Sequence, residues 1–488
     1  MSPMTNHFDV LIVGAGISGI GAAYHLQEKC PDKSFIIFEA RENFGGTWDL
    51  FQYPGIRSDS DMHTMGFRFK PWKSHKSIAD GPSIMEYLKE TIEENGLQDK
   101  IHFKSKVKSA FWSSQSAQWE IEVEDNMTGK IEQYTCSFLH LCGGYYNYSE
   151  GYIPIFKGSK SFKGEIIHPQ KWTKDIDYQD KDVVVIGSGA TAVTMIPAMA
   201  NKVKHITMLQ RSPTYYMSRP DIDYISNFLK KYLPEALAYF LVRWKNILLG
   251  RLFFVLLKRN PQKYKEMLIQ GVKDNLGEDL FDEKDFTPKY MPWDQRLCFV
   301  PNADLFESMK SGKASVVTDS IDKFTQDGIL LKSGKELTAD IIVTATGLNM
   351  ELLNGIKITI DNAPLDISSK MSFKGRMFSD VPNLTATFGY TTASWTLGAD
   401  LTNEFLCRLI KYMDKKGFNK VVPTPGKNIK PEGDYLDLNS GYIERVKHAL
   451  PKQGNKSPWI NSQNYLQDIR EVRLGSIKNK DLKFVASQ

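Results

Sequence analysis

Cysteine is scarce in this chain. Its 488 residues include five cysteines, which are widely spaced and form no Cys-x-x-Cys pair. An odd number of scattered thiols argues against a disulfide framework and against a structural zinc site, so we expect no bound metal. The same pattern suits a reducing compartment, and the N-terminus carries no basic-then-apolar export signal. We therefore expect a cytoplasmic protein.

Long hydrophobic runs and a strong net charge are also missing. The apolar stretches 236–242 and 252–257 are closed off by Arg or Lys, well short of the roughly 18 residues that a membrane-spanning helix needs. The 62 basic and 57 acidic side chains leave a net charge of +5, which is too small over this length to indicate a nucleic-acid partner. Hydrophobic residues make up 41% of the chain, enough for a large buried core. At about 150 residues per domain, the length predicts two to four domains.

Two strand–glycine–helix–strand units, about 170 residues apart, organise the sequence. The first begins with an apolar strand over 8–13, and its second strand, 34–38, ends at Glu39. The second begins with a strand over 183–186, and its second strand is 205–209. This repeated pattern predicts an α/β fold with two Rossmann-like dinucleotide-binding domains.

The first unit carries the G-x-G-x-x-G fingerprint at Gly14, Gly16 and Gly19, with Ser18 inside the turn. These glycines allow a tight turn, a close approach of backbone to a pyrophosphate and close helix packing, and the helix N-terminus supplies N–H groups. Glu39 follows 25 positions after Gly14. Its carboxylate can accept hydrogen bonds from both hydroxyls of an unphosphorylated ribose, so this unit is predicted to bind FAD or NAD.

The second unit differs at the end of its second strand. Its turn is formed by Gly187, Ser188, Gly189, Ala190, Thr191 and Ala192. Alanine therefore replaces the third glycine. Arg211, followed by Ser212, stands where the first unit has its acidic residue. A guanidinium suits a ribose 2′-phosphate, so the second nucleotide is predicted to be NADPH.

Strand-to-glycine signals at 138–144 and 340–347 flank the second unit and predict that it is inserted into the first. Between Asp221 and roughly Pro292 the β-pattern gives way to long helical runs. We assign residues 1–148 and 341–488 to the FAD-binding domain. Residues 149–219 and 294–340 are assigned to the NADPH-binding domain, and residues 220–293 to a helical insertion.

A chain with both nucleotide sites is expected to be a flavoprotein redox enzyme. Between Glu39 and Cys136 there is no cysteine, which argues against a disulfide reductase. Reduction of a quinone or of ferredoxin stays open on these residues alone, and so does a nucleotide-binding regulator without turnover.

Two further segments carry a resemblance to a known family. Residues 45–59 fill every fixed position of G-G-x-W-x-x-x-x-Y-P-G-x-x-x-D. The motif F-x-G-x-x-x-H-x-x-x-W is matched by Phe162, Gly164, His168 and Trp172. The chain thereby resembles the class I Baeyer–Villiger monooxygenases, although Thr173 stands where that family usually has Pro or Asp.

This resemblance implies an FAD-containing, NADPH- and O₂-dependent enzyme that converts ketones to esters or lactones through a C4a-peroxyflavin. Oxidation of thioethers and thioamides is implied as a second activity. The alternative within enzymes is a flavin-containing heteroatom oxygenase whose main target is sulfur or nitrogen.

The resemblance also implies roles for individual residues. Arg296 is expected to lie beside the flavin, where its cation keeps the oxygen nucleophile anionic and stabilises the oxyanion of the ketone adduct. Asp59 is expected to orient Arg296 and to contribute to the flavin site. Arg57 is expected at NADPH. Contacts with FAD are expected from Thr47, Trp48 and the backbone of Val107.

Three residues allow more than one interpretation. His168 is expected to hydrogen-bond backbone and set how the NADPH domain moves, because Baeyer–Villiger chemistry needs little acid–base help near neutral pH. Direct proton transfer and a plain structural role are the alternatives. Trp172 is expected to be a packing anchor, with a substrate contact as the alternative. Trp395 is expected to line the flavin or substrate pocket or to pack in the core.

Residues 226–265 hold nine Lys or Arg and one acid, Glu235. They are interleaved with apolar residues, namely Leu237, Phe240, Leu241, Trp244, Leu248, Leu252 and Val255. One interpretation is an amphipathic helix packed on the NADPH domain with a solvated basic side. The other is peripheral contact with an anionic membrane.

Overall fold

The computed structural model describes residues 6–295, 297–436 and 440–486. Two separate sheets organise this part of the chain, and each contains one of the predicted glycine units. In the first sheet, Asn6–Val13 lies between Phe35–Phe38 and Ile131–Leu141 and pairs with both in parallel. All of Phe35–Phe38 and the last four residues of Asn6–Val13 are buried, because helices and loops cover both faces of the sheet.

The first sheet is mixed. In pairing order its strands are Ala363–Pro364, Lys357–Ile360, Ser105–Ser113, Gln118–Asp125, Ile131–Leu141, Asn6–Val13, Phe35–Phe38 and Ile101–His102, with Leu384–Ala386 beside Ile131–Leu141. The second sheet is parallel throughout. In pairing order its strands are Ala314–Thr318, His205–Gln210, Asp182–Ile186, Ile341–Val343 and Glu165–Ile167.

One predicted domain boundary is wrong by a strand. Ile341–Val343 was assigned to the first domain, but it pairs with Asp182–Ile186 and Glu165–Ile167 and so belongs to the second sheet. Asp340 fixes this register, because its carboxylate accepts a 2.8 Å hydrogen bond from the Asp182 N–H. The chain leaves the second sheet only after Val343.

Two short strands join the sheets. Tyr146–Gly151 leads out of the first sheet, Leu348–Met350 leads back to it, and the two pair with each other antiparallel. The second unit is therefore inserted into the first through a two-stranded connection, as the sequence predicted.

The helices of seven residues or more are numbered here in chain order. They are α1 Ile17–Lys29, α2 Gly81–Glu94, α3 Ala190–Met199, α4 Tyr224–Tyr232, α5 Glu235–Arg259, α6 Pro261–Leu276, α7 Asp304–Lys310 and α8 Trp395–Lys416. Shorter helical turns are Thr47–Leu50, Met62–Met65, Glu283–Phe286, Gly441–Glu444 and Tyr465–Ile469. None of the helices described here combines the length and apolar character that crossing a bilayer requires.

Helix α5 packs on the first domain, so the interpretation that the basic stretch packs on the NADPH domain is wrong for this helix. Helix α6, which carries the end of the stretch, fits that interpretation, because its Val272 and Leu276 are buried in the core of the second domain. For α5 the cause is Arg243, which is buried rather than solvated. Its guanidinium donates to the carbonyl oxygens of His63, at 2.9 Å, and Gly66, at 2.8 Å. It also lies 3.6 Å from the carboxylate of Asp400 on α8. A buried guanidinium needs such partners, and here they come from the first domain.

Candidate active site

The first glycine turn has the shape of a pyrophosphate cradle. Gly14 has a φ of +97°, and a Cβ there would lie 2.9 Å from the Cα of Gly143. A Cβ at Gly19 would lie 1.9 Å from the carbonyl oxygen of Gly14. Helix α1 begins at Ile17, and no described side chain caps it. The N–H groups of its first turn therefore remain available to an anion.

Glu39 lies against this turn with its carboxylate fixed. The side chain is only 6% exposed. One carboxylate oxygen accepts the N–H of Ala15 at 2.8 Å, and the other accepts the N–H of Arg41 at 2.9 Å. Burial raises the pKa of Glu39, and these two hydrogen bonds counter part of that effect. Each oxygen keeps a second acceptor position, which fits two ribose hydroxyls.

Thr47 and Trp48 come after the first glycine turn in the sequence and lie next to it in the structure. They begin the helical turn Thr47–Leu50, whose N-cap is Gly46. A Cβ at Gly46 would lie 3.2 Å from both the Cα of Gly16 and the hydroxyl oxygen of Tyr148. Tyr148 also hydrogen-bonds Thr47, and burial raises the pKa of its hydroxyl to about 12.

Sequence reasoning missed Tyr148. The signal that could have found it is the aromatic run Tyr145-Tyr146-Asn147-Tyr148, which directly follows two glycines. In the structure this run enters the strand that leads to the second sheet. Tyr148 therefore connects the first glycine turn to the crossing between the two sheets.

Trp395 reaches the same turn from the far end of the chain. Its indole N–H donates to the hydroxyl of Ser18 at 2.8 Å, and its ring packs near Phe388 and Tyr145. Of the two roles that the sequence allows for Trp395, this position favours lining the flavin or substrate pocket over packing in the core.

Val107 lies on the strand Ser105–Ser113, which starts beside Glu39, because the Ser105 N–H donates to the Glu39 carbonyl. The pairing of this strand shifts register between Val107 and Ser109. A bulge of this kind leaves backbone groups out of the ladder. Backbone contact between Val107 and an adenine therefore fits the local structure.

The second glycine turn is more open than the first. Gly187 has a φ of +135°, and the N-cap of α3 is Gly189, where a Cβ would meet no atom within 4 Å. The Ser188 hydroxyl donates to the carbonyl of Ser212 at 3.2 Å. Ala192, at the position of the third glycine, is fully buried in the core of the second domain. This turn therefore accepts a methyl group at a position where the first turn cannot.

Arg211 stands exposed just after the strand His205–Gln210. Within residues 6–295, 297–436 and 440–486, no carboxylate lies within ion-pair distance of it; the ion pairs of these residues are all made by other cations. A free guanidinium at this strand end fits a ribose 2′-phosphate.

The long signature, residues 45–59, bridges the two units. Tyr53 is buried and hydrogen-bonds Thr191 at the start of α3, and burial raises its pKa well above the usual value. Gly55 has a φ of +77°, and a Cβ there would lie 2.7 Å from the carbonyl oxygen of Thr194. Arg57 pairs with Asp304 at the start of α7. Its charge, predicted to meet NADPH, is thus already paired within the protein.

The predicted catalytic pair is Asp59 and Arg296. Asp59 is exposed at the end of the long signature. Arg296 lies outside the described residues. The segment before it is described, and there Trp293 contacts Phe254 of α5 with ring centroids 5.3 Å apart.

His168 sits where the two crossing strands meet the second domain. Its Nε2 lies 3.1 Å from the carbonyl oxygen of Gly347, and its Nδ1 accepts the Gln170 N–H at 3.2 Å. Burial lowers the pKa of His168. A Cβ at Gly151 would lie 1.9 Å from the ring. Because backbone groups engage both nitrogens, this geometry favours the positioning interpretation over proton transfer.

The other residues of the fingerprint pack. Phe162 is buried near Phe324, and Trp172 is buried in the core of the second domain. A Cβ at Gly164 would lie 2.1 Å from the carbonyl oxygen of Asp340. Thr173 is exposed and hydrogen-bonds Asp175, so the departure from the family motif falls on the surface.

A family model described as flavin-binding monooxygenase-like matches residues 8–354, which include both glycine turns and the fingerprint. This chain belongs to that family. The predicted flavin-dependent monooxygenase is thereby confirmed at the level of family.

Two relatives of this flavin-binding monooxygenase match over nearly the whole chain. The FAD-containing monooxygenase EthA of Mycobacterium tuberculosis is 52% identical over 483 residues, which cover 99% of this chain and 98% of the relative. The probable FAD-binding monooxygenase AlmA of Acinetobacter baylyi is 50% identical over 472 residues, covering 96% and 94%. In segments such as 292–306 and 389–401 the sequence also resembles the ethionamide-activating monooxygenase, and the identity to EthA confirms this narrower resemblance.

Solved structures share the fold of this family member. An oxidised steroid monooxygenase bound to NADP aligns with a TM-score of 0.77 and 19% identity, covering 99% of this chain and 100% of the other. A complex of OTEMO with FAD and NADP aligns with a TM-score of 0.75 and 20% identity over the same shares. A cyclohexanone monooxygenase with bound ε-caprolactone aligns at 0.71 and 19%. The predicted α/β fold with two Rossmann-like domains is confirmed.

Proposed function

We propose that this chain is an FAD-containing, NADPH- and O₂-dependent Baeyer–Villiger monooxygenase that converts ketones to esters or lactones. The observation that carries the proposal is the pair of uncapped helix N-termini, α1 beside a buried Glu39 and α3 beside an exposed Arg211. The fold shared with solved ketone-oxidising enzymes supports it.

The residues at each turn fit the group that we assign to it. At the first turn, the N–H groups that begin α1 suit a pyrophosphate, and Glu39 keeps two acceptor positions for a ribose. At the second turn, Gly189 borders open space and Arg211 offers an exposed cation to a 2′-phosphate. We propose FAD at the first site and NADPH at the second.

We propose that the FAD domain comprises 1–148 and 344–488, the NADPH domain 149–219 and 294–343, and the helical insertion 220–293. The boundary at 344 follows from the pairing of Ile341–Val343 within the second sheet.

Bound FAD, once reduced by NADPH, supplies the activation of O₂. The task of the protein is to hold a fixed positive charge where an oxygen nucleophile must stay deprotonated and where negative charge develops on the ketone oxygen. We assign this charge to Arg296 and its orientation to Asp59. Thr47, Trp48 and the backbone of Val107 are assigned to the flavin, and His168 to the relative position of the two domains.

Oxygen transfer to sulfur, in thioethers and thioamides, is proposed as a second activity from the resemblance to the ethionamide-activating monooxygenase. A soft sulfur lone pair attacks an electrophilic oxygen, so this reaction does not need the deprotonated form that a ketone needs. The two activities should therefore respond differently to loss of the cation.

Incubation of the purified protein with NADPH, ¹⁸O₂ and a panel of ketones and thioethers tests the proposal. The expected result is an ester or lactone that carries one ¹⁸O atom, together with some sulfoxide. Sulfoxides without any ester would favour the heteroatom oxygenase instead, and NADPH consumption that yields only H₂O₂ would contradict both.

Arg296→Ala tests the assigned cation. Loss of one oxyanion-stabilising donor costs about 100-fold or more, so ester formation should fall by at least about that factor while flavin reduction by NADPH stays largely intact. Arg296→Lys, which keeps the charge but not the planar fork, should recover part of the rate. Ketone conversion by the Ala variant at the parent rate would remove this residue from the mechanism.

A further inference from the structure

Exposed apolar side chains are concentrated in one stretch of the helical insertion. Of the 24 large hydrophobic side chains that are exposed in the described chain, 12 lie within residues 224–267. Scattered single residues of this kind are normal, but a contiguous group marks an interaction surface.

Helix α5 is apolar on two opposite sides. One side, with Tyr239, Val242 and Ile247, is buried against the first domain. The opposite side carries side chains that are 39–57% exposed, namely Leu237, Phe240, Leu241, Leu248, Leu252 and Val255. A helix that is hydrophobic all round is normally covered on every side. The outer side of α5 therefore lacks a covering layer within the part of the chain that the structure describes.

Helix α4 extends the same apolar surface. Tyr224, Ile225, Phe228 and Tyr232 are 59–70% exposed. Together with the six exposed residues of α5 they form what we call the outer α4–α5 face. Its aromatic residues combine a flat apolar ring with, in the tyrosines, a polar end, which suits a boundary between water and lipid.

The charge around this face is mainly positive. Three of the nine basic residues of 226–265 form ion pairs within the protein, Arg243 with Asp400, Lys245 with Asp223 and Lys258 with Asp294. Lys230 is only partly exposed and donates to the carbonyl of Ser74. The remaining cations are Lys231, Arg251, Arg259, Lys263 and Lys265, and the nearest acid beyond the range is Glu266. The acid within the range, Glu235, is 3.7 Å from Lys73.

We propose that the outer α4–α5 face docks on a lipid bilayer that contains anionic lipid. The helices lie in the plane of the membrane surface, their apolar side chains enter the boundary between headgroups and acyl chains, and the surrounding Lys and Arg meet the headgroups.

Charge decides between a bilayer and a second copy of this chain as the occupant. In a symmetric dimer the same face meets itself, so the cations around it would be brought against identical cations. Such like-charge contacts are unfavourable, whereas an anionic lipid surface complements them.

The docked face would adjoin the proposed active site. Phe254 of α5 contacts Trp293, and Lys258 lies 3.9 Å from the carboxylate of Asp294. Both partners belong to the segment that leads to Arg296. The inference that lipid-dissolved ketones enter from this side rests on the proposed function, but the docking itself does not.

Flotation of the flavin-loaded protein with vesicles tests the docking. One set of vesicles contains phosphatidylglycerol in phosphatidylcholine, and the other contains phosphatidylcholine alone. The parent protein should float with the anionic vesicles, and high salt should weaken the binding. Because no turnover is measured, failure of docking is separate from failure of the proposed chemistry.

Two variants and a matched control locate the surface. The apolar variant carries Phe228→Ser, Phe240→Ser, Leu248→Ser and Leu252→Ser, and its vesicle partition should fall about 100-fold or more. The charge variant carries Arg251→Gln, Lys258→Gln, Arg259→Gln and Lys263→Gln, and it should lose most of the preference for anionic vesicles. The control places the same number of serines at other exposed apolar positions, Ile131, Ile153, Ile155 and Leu474, and should bind like the parent.

Two outcomes would overturn the proposal. One is equal flotation of the parent and the apolar variant, with flavin content and circular dichroism showing that both are folded. The other is a parent that ignores vesicles but forms a dimer by light scattering that the apolar variant cannot form, since the occupant would then be a second copy.

Discussion

The two glycine units share one fold but treat their nucleotide differently. In the first, Glu39 is 6% exposed and two backbone N–H groups hold its carboxylate before any ligand arrives. In the second, Arg211 is exposed and borders an open turn at Gly189. We propose that the residue at the strand end sets which ribose is accepted and that its surroundings set how firmly the nucleotide is held. We expect a retained FAD and an exchangeable NADPH.

The sharpest test of this difference exchanges the residues at the third glycine position of the two fingerprints. Gly19→Ala places a methyl group 1.9 Å from the Gly14 carbonyl oxygen, so the backbone must move. Overpacking of this kind costs about 3 kcal/mol, which is about 100-fold in flavin affinity. Flavin content after purification, and its dissociation constant by fluorescence titration, measure the effect.

Ala192→Gly is the matched change in the second turn. It removes a buried methyl group and should lower the melting temperature by only a few degrees, with the KM for NADPH within about threefold of the parent. If Gly19→Ala retained its flavin as well as Ala192→Gly does, the idea of a tightly closed first turn would be wrong.

Arg211→Ala tests the specificity of the second unit. Loss of a guanidinium–phosphate contact at an exposed site should raise the KM for NADPH by about 10- to 100-fold. The KM for NADH should stay within about twofold, because NADH has no 2′-phosphate. Steady-state kinetics with both nucleotides give the ratio. An equal rise in KM for both nucleotides would mean that Arg211 stabilises the turn and does not bind the 2′-phosphate.

The parts of this architecture that could be predicted from the sequence are local. A glycine turn between an apolar strand and a helix, and the residue at the end of the next strand, all lie within about 30 residues of one another. The chemistry of Glu39 and Arg211 can therefore be inferred without knowing the rest of the fold. The packing role of Trp172 could also be predicted, because its motif spans only residues 162–172.

The parts that could not be predicted depend on contacts between distant segments. Ile341–Val343 has the same apolar character whichever sheet it joins, and its pairing with Asp182–Ile186 decided the matter. Arg243 looks like a surface cation until Asp400, more than 150 positions later, is seen beside it. Tyr148 belongs to no motif and reaches the first turn only because the crossing strand passes there.

His168→Asn tests whether His168 sets the relative position of the two domains. Asn can replace only part of the link from Gly347 to Gln170, so the rate of flavin reduction by NADPH should fall about 10-fold, while flavin content and the KM for NADPH change little. Stopped-flow reduction measures the rate. Because we assign His168 a positioning role without proton transfer, the pH dependence of that rate should keep its shape. Loss of one limb of the pH profile in the variant would instead assign a proton transfer to His168.

The closed first domain should also be the acid-sensitive one. His140, on the strand Ile131–Leu141, is buried between Thr385 and Asn403, and burial lowers its pKa to about 4. Between pH 6.5 and 4 the unfolded chain binds a proton that the folded chain does not, so stability falls as the pH falls through this window. A shift of this size corresponds to about 3 kcal/mol. His140→Gln cannot bind that proton, so its melting temperature should start lower at pH 7 but decline less steeply towards pH 4. If the melting temperatures of parent and variant declined in parallel with pH, His140 would not be the cause of acid sensitivity in the first domain.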